Sequence, residues 1–152
     1  QIDRIDQLAD GRWLVIDYKS GNGSIDPRSS WTRSRPVDLQ LPLYAAVLQQ
    51  EYAQSQAESV AALVLAKLHA RGNETRGLAD IECFPGVAAV EKWTWPEATD
   101  KTWEQVLVDW RRAISMLADE FVSGVADNRV WSEQDLQYCD VKPFLRRFEG
   151  GV

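Results

Sequence analysis

The sequence predicts an α/β domain in which two helices, over residues 37–53 and 100–123, flank a mixed sheet of about four strands. Three observations predict it. The first residues alternate in polarity and turn back at Asp10-Gly11, a strong hairpin signal. A run rich in Val and Leu over residues 60–69 has the length of a buried strand. Two longer stretches repeat their apolar residues at helical spacing.

In residues 1–8, Ile2 and Asp6 take one parity and Asp3 and Ile5 the other. The turn at Asp10-Gly11 returns the chain as a strand over 13–18, giving an antiparallel hairpin. That strand is the centre of the sequence: Val15-Ile16-Asp17-Tyr18-Lys19-Ser20-Gly21 delivers an acid and a lysine two residues apart and then breaks. Side chains at i and i+2 of a strand share a face, so Asp17 and Lys19 point at one spot at the strand's end. The hairpin brings Asp3 close to them.

Residues 20–36 form a loop punctuated by Gly21, Gly23, Pro27 and Pro36. Arg28, Trp31, Arg33 and Arg35 lie in it, with no acid between 28 and 35. Such a loop suits a phosphate backbone and a stacked base. It equally suits a solvated loop whose tryptophan packs on the core. The helix over 37–53 has Asp38 as its cap, Pro42 in its first turn, and a stripe of Leu39, Leu43 and Val47 with Tyr44 and Leu48. Gln40 and Tyr44 are four apart and neighbours on one face. A polar connection leads to the strand over 60–69, then a polar turn over 70–77, a strand over 78–84, and an irregular stretch over 85–96. The helix over 100–123 carries the stripe Trp103, Val106, Leu107, Trp110, Ile114, Leu117 and Phe121, and Gly124 is its stop. The tail holds Trp131, Tyr138, Cys139, Phe144 and Phe148.

At 152 residues the chain is expected to be a single domain over 1–152 with a proper core. Its 45% hydrophobic and 26% charged residues are those of a soluble globular protein. A net charge of -6 argues against a broad nucleic-acid-coating surface and leaves room for a local basic groove. Cys83 and Cys139 are too few for a disulfide framework or a structural zinc site, which fits a reducing, cytoplasmic location. No apolar run is long enough to span a membrane, and no signal peptide is expected. The chain begins inside a strand without an initiator Met, so it is expected to be a fragment whose missing N-terminal part has room for further functional residues.

A carboxylate beside an ammonium suits a hydrolase that holds a divalent cation and steadies developing negative charge. Asp-x-Lys alone is weak, since an exposed pair at that spacing is worth little. Four features in order strengthen it: Asp3 on a first strand, a tight turn, an apolar run into Asp17 and Lys19, and Gln40 with Tyr44 on a following helix.

Ile2-Asp3-Arg4-Ile5-Asp6, Val15-Ile16-Asp17-Tyr18-Lys19-Ser20-Gly21 and Asp38-Leu39-Gln40-Leu41-Pro42-Leu43-Tyr44-Ala45 together resemble the RecB-type branch of the PD-(D/E)XK nucleases. Within it, the likeness is to the C-terminal nuclease domains of AddB-like recombination and repair proteins. The resemblance implies a restriction-endonuclease-like core and metal-dependent cleavage of DNA. Asp3 and Asp17 would ligate Mg²⁺ or Mn²⁺, with the carbonyl of Tyr18 as a third oxygen. Lys19 would orient the attacking water and stabilise the pentacovalent phosphate. Gln40 and Tyr44 would contact the scissile strand or support the site from behind. The implied partners are DNA and a helicase, either the remainder of its own chain or a separate protein. Two other readings stand beside it: a nuclease fold kept as a DNA-binding or scaffolding module, and an interaction domain whose tryptophans form a docking surface.

Asp6, on the opposite parity from Asp3, is structural in this scheme, paired with Arg4 or a loop arginine. His69, the only histidine, is expected to cap or be partly buried at a strand end. The chain departs from the family pattern twice. A Glu or His ligand usually stands on a helix before the first strand, and that region is absent. Many AddB-like domains also end in a cysteine cluster that binds iron and sulfur. Here only Cys139 stands in that stretch, with Leu136 and Leu145 in place of other ligands, and one thiolate cannot hold a cluster. No iron-sulfur cluster is expected, and Cys139 should be a free, mostly buried thiol.

Overall fold

In the computed structural model the described residues are 2–52, 59–70, 72–96, 100–125, 136, 139 and 140. The chain divides into two compact units, Gln1–Leu117 and Ala118–Val152. The first contains the whole sheet. Its strands are β1 (Arg4–Gln7), β2 (Trp13–Lys19), β3 (Val60–Lys67), β4 (Glu74–Ala79) and β5 (Val87–Ala89). They lie side by side in chain order. β1 and β2 are antiparallel, β2 and β3 parallel, β3 and β4 antiparallel, and β4 and β5 parallel. The helices are α1 (Arg28–Trp31), α2 (Gln40–Glu51) and α3 (Trp103–Val122).

The hairpin forms as the Asp-Gly turn predicts. The Leu8 N–H donates to Arg12 O at 2.8 Å, and Gly11 takes a φ of 90°, where glycine is favoured. β2 and β3 then read as parallel inner strands should, with near-continuous apolar runs covered on both faces. Alternate residues sort into two clusters. Val15, Leu63, Leu65 and Leu78 join Leu41, Ala45 and Leu48 of α2, Trp31, and Val106 and Trp110 of α3. Leu14, Ile16, Ala62, Val64, Ala66, Ala79 and Val87 form the other. Asp17 and Lys19 share the parity of Val15, so they lie on the face that α2 covers.

Five of the seven tryptophans are buried in this first cluster: Trp31, Trp93, Trp95, Trp103 and Trp110. Trp31 meets Trp110 edge to face with ring centroids 5.6 Å apart, and Trp103 meets Trp110 at 6.0 Å. The Trp103 indole donates to Val60 O at 2.7 Å and the Trp110 indole to Trp31 O at 3.0 Å. This burial removes most of the tryptophan surface on which an interaction-domain reading depends.

Several expected boundaries are corrected. The strand over 78–84 is β4, four residues earlier, and 80–84 is irregular. Glu74, Thr75 and Arg76 hid it as a polar turn. Gly77 lies inside this strand because it passes so close to β3 that a Cβ there would stand 2.0 Å from Leu63 O. β5 adds a fifth strand inside the stretch expected to be irregular. α2 begins at Gln40, with Leu39 at its cap, so Asp38 is not the cap. Its buried row is Leu41, Ala45 and Leu48, while Leu43 and Val47 are exposed; the helix carries two interleaved apolar rows, and spacing does not choose between them. Residue 53 lies outside the described residues.

α3 starts at Trp103, where Thr102 and Gln105 exchange side-chain bonds to each other's backbone N–H at 3.3 and 2.8 Å, a capping box. In the second unit, α3 stops at Gly124 as expected. The Val125 N–H reaches Glu120 O, the Gly124 N–H reaches Phe121 O, and Gly124 takes a φ of 69°. Phe121, placed on the buried stripe by its spacing, is instead 87% exposed. Trp131, Tyr138, Phe144, Leu145 and Phe148 lie outside the described residues.

Candidate active site

β2 carries Asp17 into the interior. Its residue is 2% exposed, and a buried carboxylate is costly without partners. It has two. The Gln40 side-chain amide donates to Asp17 Oδ1, and the Lys19 Nζ stands 2.7 Å from Oδ2. Lys19 in turn donates to Gln40 Oε1 at 3.2 Å, closing a three-membered ring of side chains. Gln40 can do this because it is the first residue of α2 and meets the end of β2. The bond from Asp17 holds the Lys19 ammonium above the usual lysine range, against the opposing effect of burial, with the charges of Asp17, Asp38 and Asp3 adding to it.

The Lys19 ammonium meets Asp17 Oδ2 at 2.7 Å, and no other described donor reaches this buried oxygen. It therefore keeps lone-pair capacity for another electropositive group.

Asp3 precedes β1 by one residue. The register pairs Arg4 with Ile16, so one further step sets Asp3 opposite Asp17, and opposed residues of an antiparallel pair share a face. Asp3 Oδ2 accepts the Tyr18 N–H at 2.9 Å. A strand residue's N–H and C=O leave on the same flank, so the Tyr18 carbonyl also points toward the Asp3 side. Asp3 and Asp17 thus stand opposite one another at the open end of the hairpin. Among the described residues no group of three His, Cys, Asp or Glu side chains could hold a metal ion.

Asp6 pairs with Arg4 at 2.8 Å on the parity opposite to that of Asp3, the structural role expected of it. Tyr44 follows Gln40 by one turn and is half-buried against the first core cluster. His69 is half-buried just after β3.

From the sequence, Asp38 is expected only as a helix cap. It lines a cleft of about 230 Å³ together with Lys19, Ser30 and Leu65. The Ser30 hydroxyl accepts the Asp38 N–H at 2.7 Å and the Val37 N–H at 3.3 Å, tying the entry of α2 to α1. Only the residue type, an acid two before Gln40, signals this. A larger cleft of about 700 Å³, lined by Arg12, Gln49, Trp103 and Arg111, contains none of these residues.

The basic loop divides. Trp31 is 1% exposed and cannot stack a base: it is a core residue, and that expectation is corrected. Arg28 is exposed but bound to Asp26, whose carboxyl it holds below the usual carboxylate range. Arg33 donates to Ser29 O, and Arg35 is exposed. In the second unit, Cys139 is a free cysteine but half-buried rather than mostly buried. Among the described residues no helix is long and apolar enough to cross a membrane.

The family model of the PD-(D/E)XK nuclease superfamily matches residues 1–144. The mixed five-stranded sheet with its flanking helices is consistent with the restriction-endonuclease-like fold of that superfamily. No curated protein and no solved structure matches the chain.

Proposed function

The chain belongs to the PD-(D/E)XK nuclease superfamily, and from that premise we propose that it hydrolyses DNA phosphodiester bonds with a divalent cation, Mg²⁺ or Mn²⁺. The observation that supports this most is the buried Asp17 carboxylate at the end of β2, whose Oδ2 is met among the described residues by the Lys19 ammonium alone, at 2.7 Å. The donors are of the right kind, because such cations take hard oxygen ligands. They would be the carboxylates of Asp3 and Asp17 and the carbonyl of Tyr18. Two carboxylates are few, so the proposal includes a further acidic or histidine ligand from outside the described residues.

A cation bound there supplies Lewis-acid polarisation of the phosphodiester and a more acidic water. The chain's own residues do the rest. Lys19, kept charged by its bond to Asp17, holds the attacking water and offsets charge on the phosphate. Gln40 fixes Asp17 and Lys19 together through one amide. Tyr44 and the exposed Arg35, with Arg28 and Arg33, guide the strand toward the cleft. A role in recombination or repair beside a helicase, in the AddB manner and in the cytoplasm, completes the proposal.

Titration with Mn²⁺, followed by calorimetry and by cleavage of labelled DNA, tests it. Wild type should bind Mn²⁺ and cleave. Asp17→Asn should keep its fold by circular dichroism and lose both. Equal Mn²⁺ affinity in Asp17→Asn would remove the metal site, and a folded chain that binds DNA without cutting it would favour the inactive-module reading.

A further inference from the structure

The cleft of about 230 Å³ beside Lys19 carries charges that do not suit a second phosphate. Lys19 is the one cation among its described lining residues, and its ammonium is engaged by Asp17 and Gln40. Two acids, Asp26 and Asp38, line it as well. Both oxygens of Asp26 accept from the Arg28 Nε, at 3.0 and 2.9 Å. Asp38 bonds only through its backbone N–H, which Ser30 Oγ accepts at 2.7 Å. Its carboxylate has no hydrogen bond or ion pair among the described residues. The residue is half-buried and so reachable from solvent. Its charge is one of those that keep the Lys19 ammonium protonated, so the two groups lie within electrostatic range of each other.

Apolar side chains complete the lining. Ile25 and Leu65 are 7% and 4% exposed, and Pro27 is buried. An ionised carboxylate only accepts hydrogen bonds, so it repels a phosphate and attracts N–H donors. Apolar walls with an unspent acceptor suit a planar ring that carries such donors, the arrangement in which an unstacked base is read. The cleft is smaller than the roughly 300–1,000 Å³ of pockets that take drug-sized ligands, and it has room for one nucleobase.

We propose that this cleft is a nucleobase pocket beside the scissile phosphate, in which the Asp38 carboxylate reads guanine through its adjacent N1–H and N2–H donors. The two oxygens of a carboxylate accept two parallel N–H bonds when it pairs with a guanidinium. The Watson–Crick edge of guanine presents the same fork of donors on one carbon. Cytosine offers a single amino donor, from N4. Thymine sets a carbonyl oxygen on each side of its one N–H, against the negative carboxylate. The expected order is guanine, then cytosine, then thymine. Position puts the base next to the chemistry, because Lys19, the group assigned to the attacking water, lines the same cleft. A base within a strand as the occupant rests on the nuclease reading and gives that reading a sequence preference.

The test uses the whole chain and labelled oligothymidylates that carry one internal dG, dI or dC. In EDTA, where nothing is cut, fluorescence anisotropy should show the dG strand bound about tenfold more tightly than the all-thymine strand. The dI strand lacks only the 2-amino group and should lose most of that gain. With Mg²⁺, cleavage at the bond beside dG should exceed cleavage between thymines by a similar factor. Asp38→Asn keeps the size of the side chain, and Ser30 still holds its backbone N–H, so circular dichroism should show a retained fold. In both readouts it should bring the ratio of dG to dT close to one. Equal binding of the dG, dI and all-thymine strands by wild type overturns the proposal without any variant. So does a loss in Asp38→Asn that is uniform over the strands, which is what the charge of Asp38 acting through Lys19 alone would give. Displacement of the dG strand by free dGMP in preference to dTMP identifies a pocket that takes the mononucleotide as well; discrimination confined to the strands identifies a base within a strand. Discrimination in EDTA with no cleavage in Mg²⁺ keeps the pocket and counts against the nuclease reading, and cleavage without discrimination does the reverse.

Discussion

The ends of β2 and β3 carry the same residue at the same level and do different things. Lys19 and Lys67 are partners in the parallel register. Lys19 meets the buried Asp17 and Gln40. Lys67 leaves the sheet and donates to the carbonyls of Asn22 at 3.3 Å and Gly23 at 2.9 Å, gripping the loop that follows β2. The difference is set two residues upstream, where Asp17 on β2 stands in register with Leu65 on β3. A strand-terminal lysine is therefore not a site in itself. In the proposed function it becomes one where the same face carries an acid and where a helix, through Gln40, supplies the donor that makes burial of that acid tolerable. Its neighbour uses an identical ammonium to hold the backbone around the cleft.

The largest expected effect separates the two lysines by activity. Lys19→Ala should lower single-turnover DNA cleavage with Mg²⁺ by roughly 10²–10³, the usual cost of removing a positioned electrostatic group. Its side chain is about one-third exposed, and Gln40 still donates to Asp17, so circular dichroism should show a retained fold. Lys19→Arg should not rescue it, since a planar fork differs from a compact ammonium in reach and geometry. Cleavage at the wild-type rate by Lys19→Ala would end the assigned role.

The second effect is on stability. Leu65→Asp writes the Asp-x-Lys spacing onto β3, two residues before Lys67. Leu65 is 4% exposed and packs in the first core cluster. The new carboxylate would sit in register with Asp17, a like charge on the adjacent strand, and no described residue stands to it as Gln40 stands to Asp17. We expect a loss of roughly 3–5 kcal/mol in urea unfolding, the cost of an uncompensated buried charge. A near-neutral change would mean that the spacing alone suffices and that Gln40 is dispensable.

This contrast also explains what the sequence could reveal. The hairpin, Asp17, Lys19 and the approach of Gln40 were legible because each follows from a short-range period: two in a strand, or the start of a helix after a proline-bounded loop. Asp38 was misread because capping is a local rule, whereas its position depends on Ser30, eight residues away. Trp31 was ambiguous because burial is decided by Trp93 and Trp110, far along the chain. β4 was displaced because the polar residues at its start match a turn. Only the backbone of β3, pressed against Gly77, shows that a strand runs there.

The smallest effect sharpens the comparison from the other side. Lys67→Met keeps the aliphatic stem and removes two hydrogen bonds to exposed carbonyls. Such bonds contribute about 1 kcal/mol each at most once water competes, so global stability should fall by no more than about 2 kcal/mol. The change should be local: faster amide hydrogen exchange in residues 20–24, with the strand amides of β2 and β3 unchanged. Gly21 and Gly23 line the same cleft as Lys19, so loosening that loop should reach the reaction indirectly. Cleavage should drop by less than about tenfold, under 1.4 kcal/mol in the barrier. The loss should appear in the apparent affinity for DNA and not in the single-turnover rate at saturation, because Lys67 holds the wall of the cleft and touches neither Asp17 nor Gln40. A rate loss as large as that of Lys19→Ala would show that Lys67 takes part in the chemistry, and the two strand ends would then form one site.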